Sequence, residues 1–134
     1  MNLFSNSKIL GIIGGGQLGK MLLNDTFKWN IKTYVLDPDK DAPAKQFCNK
    51  FFCGDLNDFD TIYQFGKKVD LITFEIEHIN TEALIKLEDE GVIIYPKPNT
   101  LNIIQDKFKQ KKFYLDNNIP TSDFIFFDRK KDIY

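Results

Sequence analysis

Gly14, Gly16 and Gly19 have the G-x-G-x-x-G spacing of a turn that binds phosphate groups. An apolar run precedes them and a helical pattern follows, so the sequence predicts a buried strand, a tight turn and a helix N-terminus. Residues without a Cβ let backbone N–H groups approach an anion, and the helix end adds partial positive charge. The motif favours a phosphate-type ligand, although a turn with purely structural glycines would have the same spacing.

Asp37 follows the glycine loop by about 20 residues and ends the second predicted strand. In a dinucleotide-binding domain, an acid at this place holds the adenine ribose of NAD. An NAD-binding module of an oxidoreductase is therefore one hypothesis. Pro38 and the run that follows it weaken this hypothesis, because a short polar loop is expected there. The sequence also offers no second domain to hold a hydride acceptor.

Glu75, Glu77 and His78 lie together at the end of the fourth predicted strand. If the strand reaches Glu75, alternation puts the two carboxylates on one side, where they could bind amine or hydroxyl groups of a ligand. A solvated loop is the alternative. We favour a functional role for Glu75, because this strand end adjoins the glycine loop in the predicted topology. For His78, the only histidine, we favour a surface or helix-capping role.

The elements that must position these residues alternate between strand and helix. Apolar runs and β-branched residues predict the strands, and apolar residues at helical spacing predict the helices. The predicted fold class is α/β, a Rossmann-like open parallel sheet with helices on both faces. Ligands of such sheets bind outside the carboxyl ends of the strands, where the glycine loop, Asp37 and Glu75 converge. The predicted strands span residues 8–13, 31–36, 50–53, 69–74 and 92–95.

Two helices and the last segment carry further expectations. The first helix is predicted over residues 17–28, and three apolar residues are expected to face the sheet: Leu18, Met21 and Leu22. A later single helix, capped by Asn99 or Thr100, carries four apolar residues: Leu101, Ile104, Phe108 and Leu115. Gly91 is expected to end the helix before it. A strand is predicted over residues 123–127, so we expect one domain over residues 1–120 and the start of another over 121–134.

Composition excludes several classes of partner. The chain has 134 residues, 28% of them charged, and a net charge of −1, so neither nucleic acid nor an anionic membrane surface is an expected partner. Cys48 and Cys53 are too few, with one histidine, for a zinc site, and we expect both to be buried free thiols. The N-terminus resembles neither a secretory signal nor a membrane span. The expected location is the cytoplasm.

Several short motifs, each weak alone, occur in an order that resembles one family. The chain is similar to the N5-carboxyaminoimidazole ribonucleotide synthetases, the ATPase subunits of phosphoribosylaminoimidazole carboxylase, which are ATP-grasp ligases. It looks like their N-terminal pre-ATP-grasp domain. The motifs are Gly14-Gly15-Gly16-Gln17-Leu18-Gly19, Leu36-Asp37-Pro38, Ala42-Pro43-Ala44, Phe74-Glu75-Ile76-Glu77, Gln105-Asp106-Lys107 and Asn118-Ile119-Pro120-Thr121.

The resemblance implies a carboxylation step of purine biosynthesis. The family joins 5-aminoimidazole ribonucleotide to bicarbonate while ATP, with Mg²⁺, is cleaved to ADP and phosphate. It implies that Lys107 contacts ATP and that the protein is a possible homodimer. The residues it implies for the substrate site are Gly15, Gly16, Gln17, Leu18, Asp37 and Glu75.

Departures from the family pattern are few. Lys20 and Lys107 stand where arginine is common, which keeps the charge but loses the bidentate fork.

The alternative within the superfamily is the formate-dependent phosphoribosylglycinamide formyltransferase. Gln17, the Asp37-Pro38 pair and His78 favour the carboxyaminoimidazole family. The catalytic residues are not identified, since the family's ATP-binding lysines and magnesium-binding carboxylates would lie beyond Tyr134. The chain alone is therefore expected to be inactive.

Overall fold

The computed structural model describes residues 8–125 of the chain. These form one parallel sheet with strand order β3-β2-β1-β4-β5, packed against helices. The fold class predicted from the sequence is therefore confirmed. In chain order the elements are β1 (Ile9–Ile13), α1 (Gln17–Lys28), β2 (Lys32–Asp37), β3 (Lys50–Cys53), α2 (Phe59–Gly66), β4 (Leu71–Phe74), α3 (Thr81–Asp89), β5 (Ile93–Ile94), α4 (Pro98–Gln105) and α5 (Lys107–Asp116).

The central strand β1 pairs with β2 on one side and β4 on the other, so that Gly11 lies between Tyr34 and Ile72. The chain builds β1, β2 and β3 outward in one direction and then crosses to β4 and β5 on the other side. This reversal puts the topological switch point between the carboxyl ends of β1 and β4.

Two apolar clusters cover the two faces of the sheet. Residues of α2, α3 and α4 pack with Ile13, Ile72 and Ile94 on one face. Leu23 of α1 packs with Ile12 and Val35 on the other. The opposite placement of α1 and α2 follows from the reversal of direction, because right-handed crossovers put the connecting helices on opposite faces.

The sheet-facing side of α1 differs from the prediction. Gly19, Leu23 and Thr26 are buried, whereas Leu18 and Met21 are each 61% exposed. Of the three residues predicted to face the sheet, only Leu22 packs at its margin, against the Leu23 cluster. The reason is the close approach of Gly19 to the Gly14 carbonyl oxygen, which turns that side of the helix inward.

The single helix predicted after residue 98 is two helices. Pro98 takes the first position of α4, with Lys97 as N-cap, so the predicted caps at Asn99 and Thr100 are wrong. Asp106 then leaves the helical conformation and caps α5, accepting hydrogen bonds from the N–H groups of Phe108 and Lys109. Of the four predicted apolar residues only Leu101 is buried, and α5 buries no residue.

Other details of the prediction have mixed outcomes. Gly91 follows α3 with φ 94°, as expected of a helix-ending glycine. Both cysteines are free thiols, but neither is fully buried as predicted. Cys48 is half-buried, and Cys53 is exposed because it ends the edge strand β3. Burial raises the pKa of the Cys48 thiol. Residues 123–125 form no strand, and the remainder of the predicted strand lies outside the described residues.

Candidate functional site

The glycine loop lies at the switch point and is held in place by β2 and the loop that follows it. Gly14 has φ 102°, a conformation that side chains rarely allow, and its N–H donates to the Leu36 carbonyl at 2.9 Å. The Gly15 N–H donates to Asp37 Oδ2 at 2.6 Å, and the Gly15 carbonyl accepts from the Ala44 N–H at 2.9 Å. The conformation of the loop is thus fixed by neighbouring backbone and one carboxylate.

The N-terminus of α1 opens from this loop. Gly16 is its N-cap without a side-chain hydrogen bond, and the first turn contains no acidic residue. Within residues 8–125, the N–H groups of Gly16, Gln17 and Leu18 have no hydrogen-bond partner. Free N–H groups and the positive end of the helix dipole are what an anion binds at a helix N-terminus.

The Glu75 carboxylate lies over the glycine loop. Glu75 directly follows β4, and its N–H donates to the Ile13 carbonyl at 3.2 Å, which ties it to the end of β1. A Cβ on Gly14 would lie 2.8 Å from Glu75 Oε1, and one on Gly16 3.3 Å from the same atom. The site therefore places a hydrogen-bond acceptor beside a set of free donors. Such a pair suits a ligand that has both an anionic group and hydroxyl or amine groups.

Lys107 lies near the segment that follows β4, and that segment is held by Gln105, a neighbour that sequence reasoning missed. The Gln105 side-chain amide donates to the carbonyls of Glu77 and Ile79, at 2.7 and 2.9 Å, and so fixes the segment after β4. Lys107 then lies with its Nζ 3.9 Å from Glu77 Oε2, and its side chain is 70% exposed. The only signal for Gln105 in the sequence was its place beside Asp106 and Lys107. Glu77 and His78 are exposed, and the strand ends before Glu75.

Asp37 lies next to the loop but faces inward. It is 9% exposed, and its two carboxylate oxygens accept backbone N–H groups, from Gly15 at 2.6 Å and Asp39 at 2.8 Å. A carboxylate that holds the ribose hydroxyls of NAD would have to present its oxygens to the crevice. This geometry disfavours the dinucleotide-binding hypothesis.

No group of three or more histidine, cysteine, aspartate or glutamate side chains within residues 8–125 could hold a metal ion. No helix in the same range is long and apolar enough to cross a membrane.

An open parallel sheet with a glycine loop, a helix N-terminus and a carboxylate at its switch point defines a Rossmann-like α/β domain. The family can be stated more closely. The chain belongs to the family described as the ribonucleotide synthetase preATP-grasp domain, whose profile matches residues 7–105. The resemblance drawn from the motifs is thereby confirmed.

Two named relatives match most of this chain. The phosphoribosylaminoimidazole carboxylase of Candida albicans is 39% identical over 124 residues, which are 90% of this chain and 22% of that protein. The crystal structure of N5-carboxyaminoimidazole ribonucleotide synthetase from Thermotoga maritima is 43% identical with a TM-score of 0.80, covering 87% of this chain and 32% of that one.

A third relative was solved with ligands. The N5-carboxyaminoimidazole synthase of Aspergillus clavatus, in complex with ADP and 5-aminoimidazole ribonucleotide, is 37% identical with a TM-score of 0.79. The match covers 88% of this chain and 31% of that structure. The chain thus spans about a third or less of the length of the relatives it matches.

Proposed function

We propose that this chain is the substrate-binding N-terminal part of an ATP-dependent ligase. The ligase carboxylates 5-aminoimidazole ribonucleotide with bicarbonate to N5-carboxyaminoimidazole ribonucleotide, in purine biosynthesis. The observation that carries the proposal is the Glu75 carboxylate over the glycine loop at the switch point, in a chain similar to a synthase solved with ADP and this ribonucleotide.

The two halves of the site suit the two ends of a ribonucleotide. The N–H groups of Gly16, Gln17 and Leu18 bind its phosphate, and the half-buried Glu75 accepts hydrogen bonds from its hydroxyl or amine groups. A carboxylate repels a phosphate placed close to it, so the phosphate lies on the side of the loop away from Glu75. The ribonucleotide is therefore oriented with its phosphate at the N-terminus of α1 and its hydroxyl or amine groups at Glu75.

ATP is the second substrate in this proposal. Relatives solved with ADP or ATP support ATP binding by the longer protein. Within the described residues, the Lys107 Nζ lies 3.9 Å from the exposed Glu77 and 3.3 Å from the half-buried Gln110, so it is free to turn toward a phosphate. As a lysine it offers a point charge rather than a bidentate fork. Mg²⁺ accompanies ATP in the proposal, but residues 8–125 supply no cluster to which we assign it.

Location and assembly are part of the same proposal. Two free thiols and no disulfide within the described residues suit the cytoplasm, where thiols stay reduced.

A homodimer is proposed from the resemblance alone. Light scattering over a range of protein concentrations tests it, and a constant monomer mass up to high concentration rejects it.

A ligand panel separates this function from its rivals. Isothermal titration calorimetry of the chain with 5-aminoimidazole ribonucleotide, glycinamide ribonucleotide and NAD is expected to show saturable binding of the first alone. Preferential binding of glycinamide ribonucleotide would favour the formate-dependent ligase. Saturable NAD binding that Asp37→Ala weakens would favour an oxidoreductase module. Either result overturns the proposal.

A further inference from the structure

We propose that Asp37 is a positioning residue, which sets the conformation of the glycine loop and does not touch the bound ribonucleotide. This inference rests on the proposed function for the identity of the ligand. It differs from the role that the resemblance implies, in which Asp37 belongs to the substrate-binding set.

The backbone and the side chain of Asp37 are both held by hydrogen bonds. It is the last residue of β2, in register with Cys53 of β3, and its carbonyl accepts the Gly54 N–H at 3.1 Å. Its side chain is then held by the Asp39 N–H at one oxygen and the Gly15 N–H at the other. At 2.6 Å the bond to Gly15 has the short length of a charge-assisted hydrogen bond. The carboxylate connects the end of β2 to the loop after β1.

The space between Asp37 and the loop excludes a ligand. A Cβ on Gly15 would lie 3.1 Å from the Asp37 Cβ and 3.2 Å from the Ala42 Cβ, so the Gly15 backbone is packed against both. The Gly15 carbonyl, which belongs to the next peptide unit, accepts the Ala44 N–H. The Gly15 N–H donates to Asp37 and is therefore not available to a ligand. The donors left for an anion begin at Gly16.

The orientation of those donors depends on the bond to Gly15. Gly16 has extended backbone (φ −67°, ψ −160°) and precedes the first turn of α1, so a rotated Gly15 peptide would redirect the N–H groups that follow. A carboxylate offers an acceptor to both Gly15 and Asp39. An asparagine has one acceptor oxygen and an NH₂ group, which must face one of the two N–H donors. Asp37→Asn therefore breaks one of the two bonds.

The test combines NMR with titration of 5-aminoimidazole ribonucleotide into the chain. In Asp37→Asn we expect displaced amide resonances at Gly15 and Gly16 and a loss of affinity of about tenfold or more. The matched control is Asp41→Asn. The Asp41 carboxylate is exposed, lies in the same loop and, among residues 8–125, pairs only with Lys40 and Lys45. The control is expected to keep the wild-type Gly15 resonance and an affinity within about twofold of wild type.

A second measurement needs no variant. In the wild-type chain, a through-hydrogen-bond coupling joins the Gly15 nitrogen to the Asp37 carboxyl carbon, and saturating ribonucleotide leaves the ¹³C shift of that carboxyl unchanged. A missing coupling, or a carboxyl shift that moves with bound ligand as much as that of Glu75, overturns the positioning role. If the wild-type chain binds no ribonucleotide, the proposed function fails. The coupling then still decides whether Asp37 holds the loop.

Discussion

Each glycine of the loop meets a different neighbour. Gly14 needs both its positive φ and the absence of a Cβ, because Glu75 Oε1 occupies that space. Gly19 lies against the Gly14 carbonyl oxygen, a backbone atom that cannot turn away. Gly16 has a negative φ, and only the flexible Glu75 side chain lies near it. The motif therefore combines two glycines that the turn requires with one, Gly16, that leaves space for the ligand in the proposed function.

Gly19→Ala and Gly16→Ala should separate these two roles. In Gly19→Ala the new methyl group meets backbone, so we expect a loss of about 2 kcal/mol or more in the free energy of unfolding. In Gly16→Ala we expect a loss of about 1 kcal/mol or less, the difference between glycine and alanine at an N-cap. Urea denaturation of both variants measures the contrast. Equal stabilities would show that Gly19 is not in close contact with the loop.

For single residues, the sequence predicted which of them lie close together but not how their side chains are oriented. The spacing of Gly14, Gly16 and Gly19 predicted the turn, because that conformation depends on local chain geometry. The meeting of the loop with Glu75 followed from topology. That Asp37 turns inward to Gly15, and that Gln105 holds the segment after β4, depends on tertiary contacts. No local pattern encodes such contacts.

Helices α2 and α3 are joined through Glu90, the residue at the C-terminal end of α3. Its carboxylate accepts from the Tyr63 hydroxyl at 2.9 Å and pairs with Lys67 at 3.1 Å and Lys86 at 3.2 Å. These groups lower the pKa of Glu90 from 4.5 to about 2, with the hydrogen bond from Lys67 contributing most. The carboxylate must be ionised for this network to be complete.

The network gives a defined pH dependence of stability. Because the pKa of Glu90 is lower in the folded state, its stabilisation is fully present above pH 4.5 and is lost as the pH falls toward about 2. We expect Glu90→Gln to lower the midpoint temperature of unfolding by about 1–4 °C at pH 7, and by progressively less below pH 4.5. Calorimetry at several pH values checks this.

Asp89→Asn is the matched control for the network. Asp89 is exposed and forms no ion pair within residues 8–125. Its substitution removes the same charge from the same helix end. A difference between wild type and Glu90→Gln that stays constant down to pH 2 would contradict the assignment.

Asp106 is expected to stabilise α5 through its cap. Removing the two hydrogen bonds in Asp106→Ala should cost about 1 kcal/mol. We expect this loss of stability to be measured as faster amide hydrogen exchange within α5. Asp116→Ala, at the opposite end of the same helix, should leave protection unchanged or slightly higher, since an acid there opposes the helix dipole. Equal effects of the two substitutions would argue against a cap at Asp106.

The errors in the helix predictions have physical causes. Apolar spacing through Phe108 and Leu115 predicted one helix, but the side chain of Asp106 offers the backbone an alternative to helical hydrogen bonds. Leu18 and Met21 satisfied the apolar spacing of α1, but the contact between Gly19 and the loop set the rotation of that helix. Packing overrides apolar spacing wherever two elements approach this closely.

The architecture as a whole was predictable because alternation of strands and helices restricts the topology. Parallel strands need crossovers, crossovers are right-handed, and the ligand crevice then falls at the switch point. The same argument placed the glycine loop and Glu75 together. Exposure at the sheet edge was not predictable from β3 itself, because the apolar run that ends at Cys53 would equally suit a central strand.

The 134-residue chain on its own is expected to lack ligase activity. Phosphoryl transfer depends on groups that position ATP and neutralise its charge, and this chain spans about a third or less of its relatives. We expect no phosphate release that depends on 5-aminoimidazole ribonucleotide, with the Thermotoga maritima synthetase as positive control. Substrate-dependent release by a sample free of contaminating ligase would contradict this expectation.

The most direct test of the account is the affinity of the chain for 5-aminoimidazole ribonucleotide with and without the Glu75 carboxylate. Glu75→Gln keeps the shape and removes the charge, and Glu77→Gln makes the same change at the exposed neighbour two residues away. We expect saturable binding by wild type, a loss of about tenfold or more in Glu75→Gln, and a change within about twofold in Glu77→Gln. Equal affinities for wild type and Glu75→Gln, or no binding by wild type, would contradict the account.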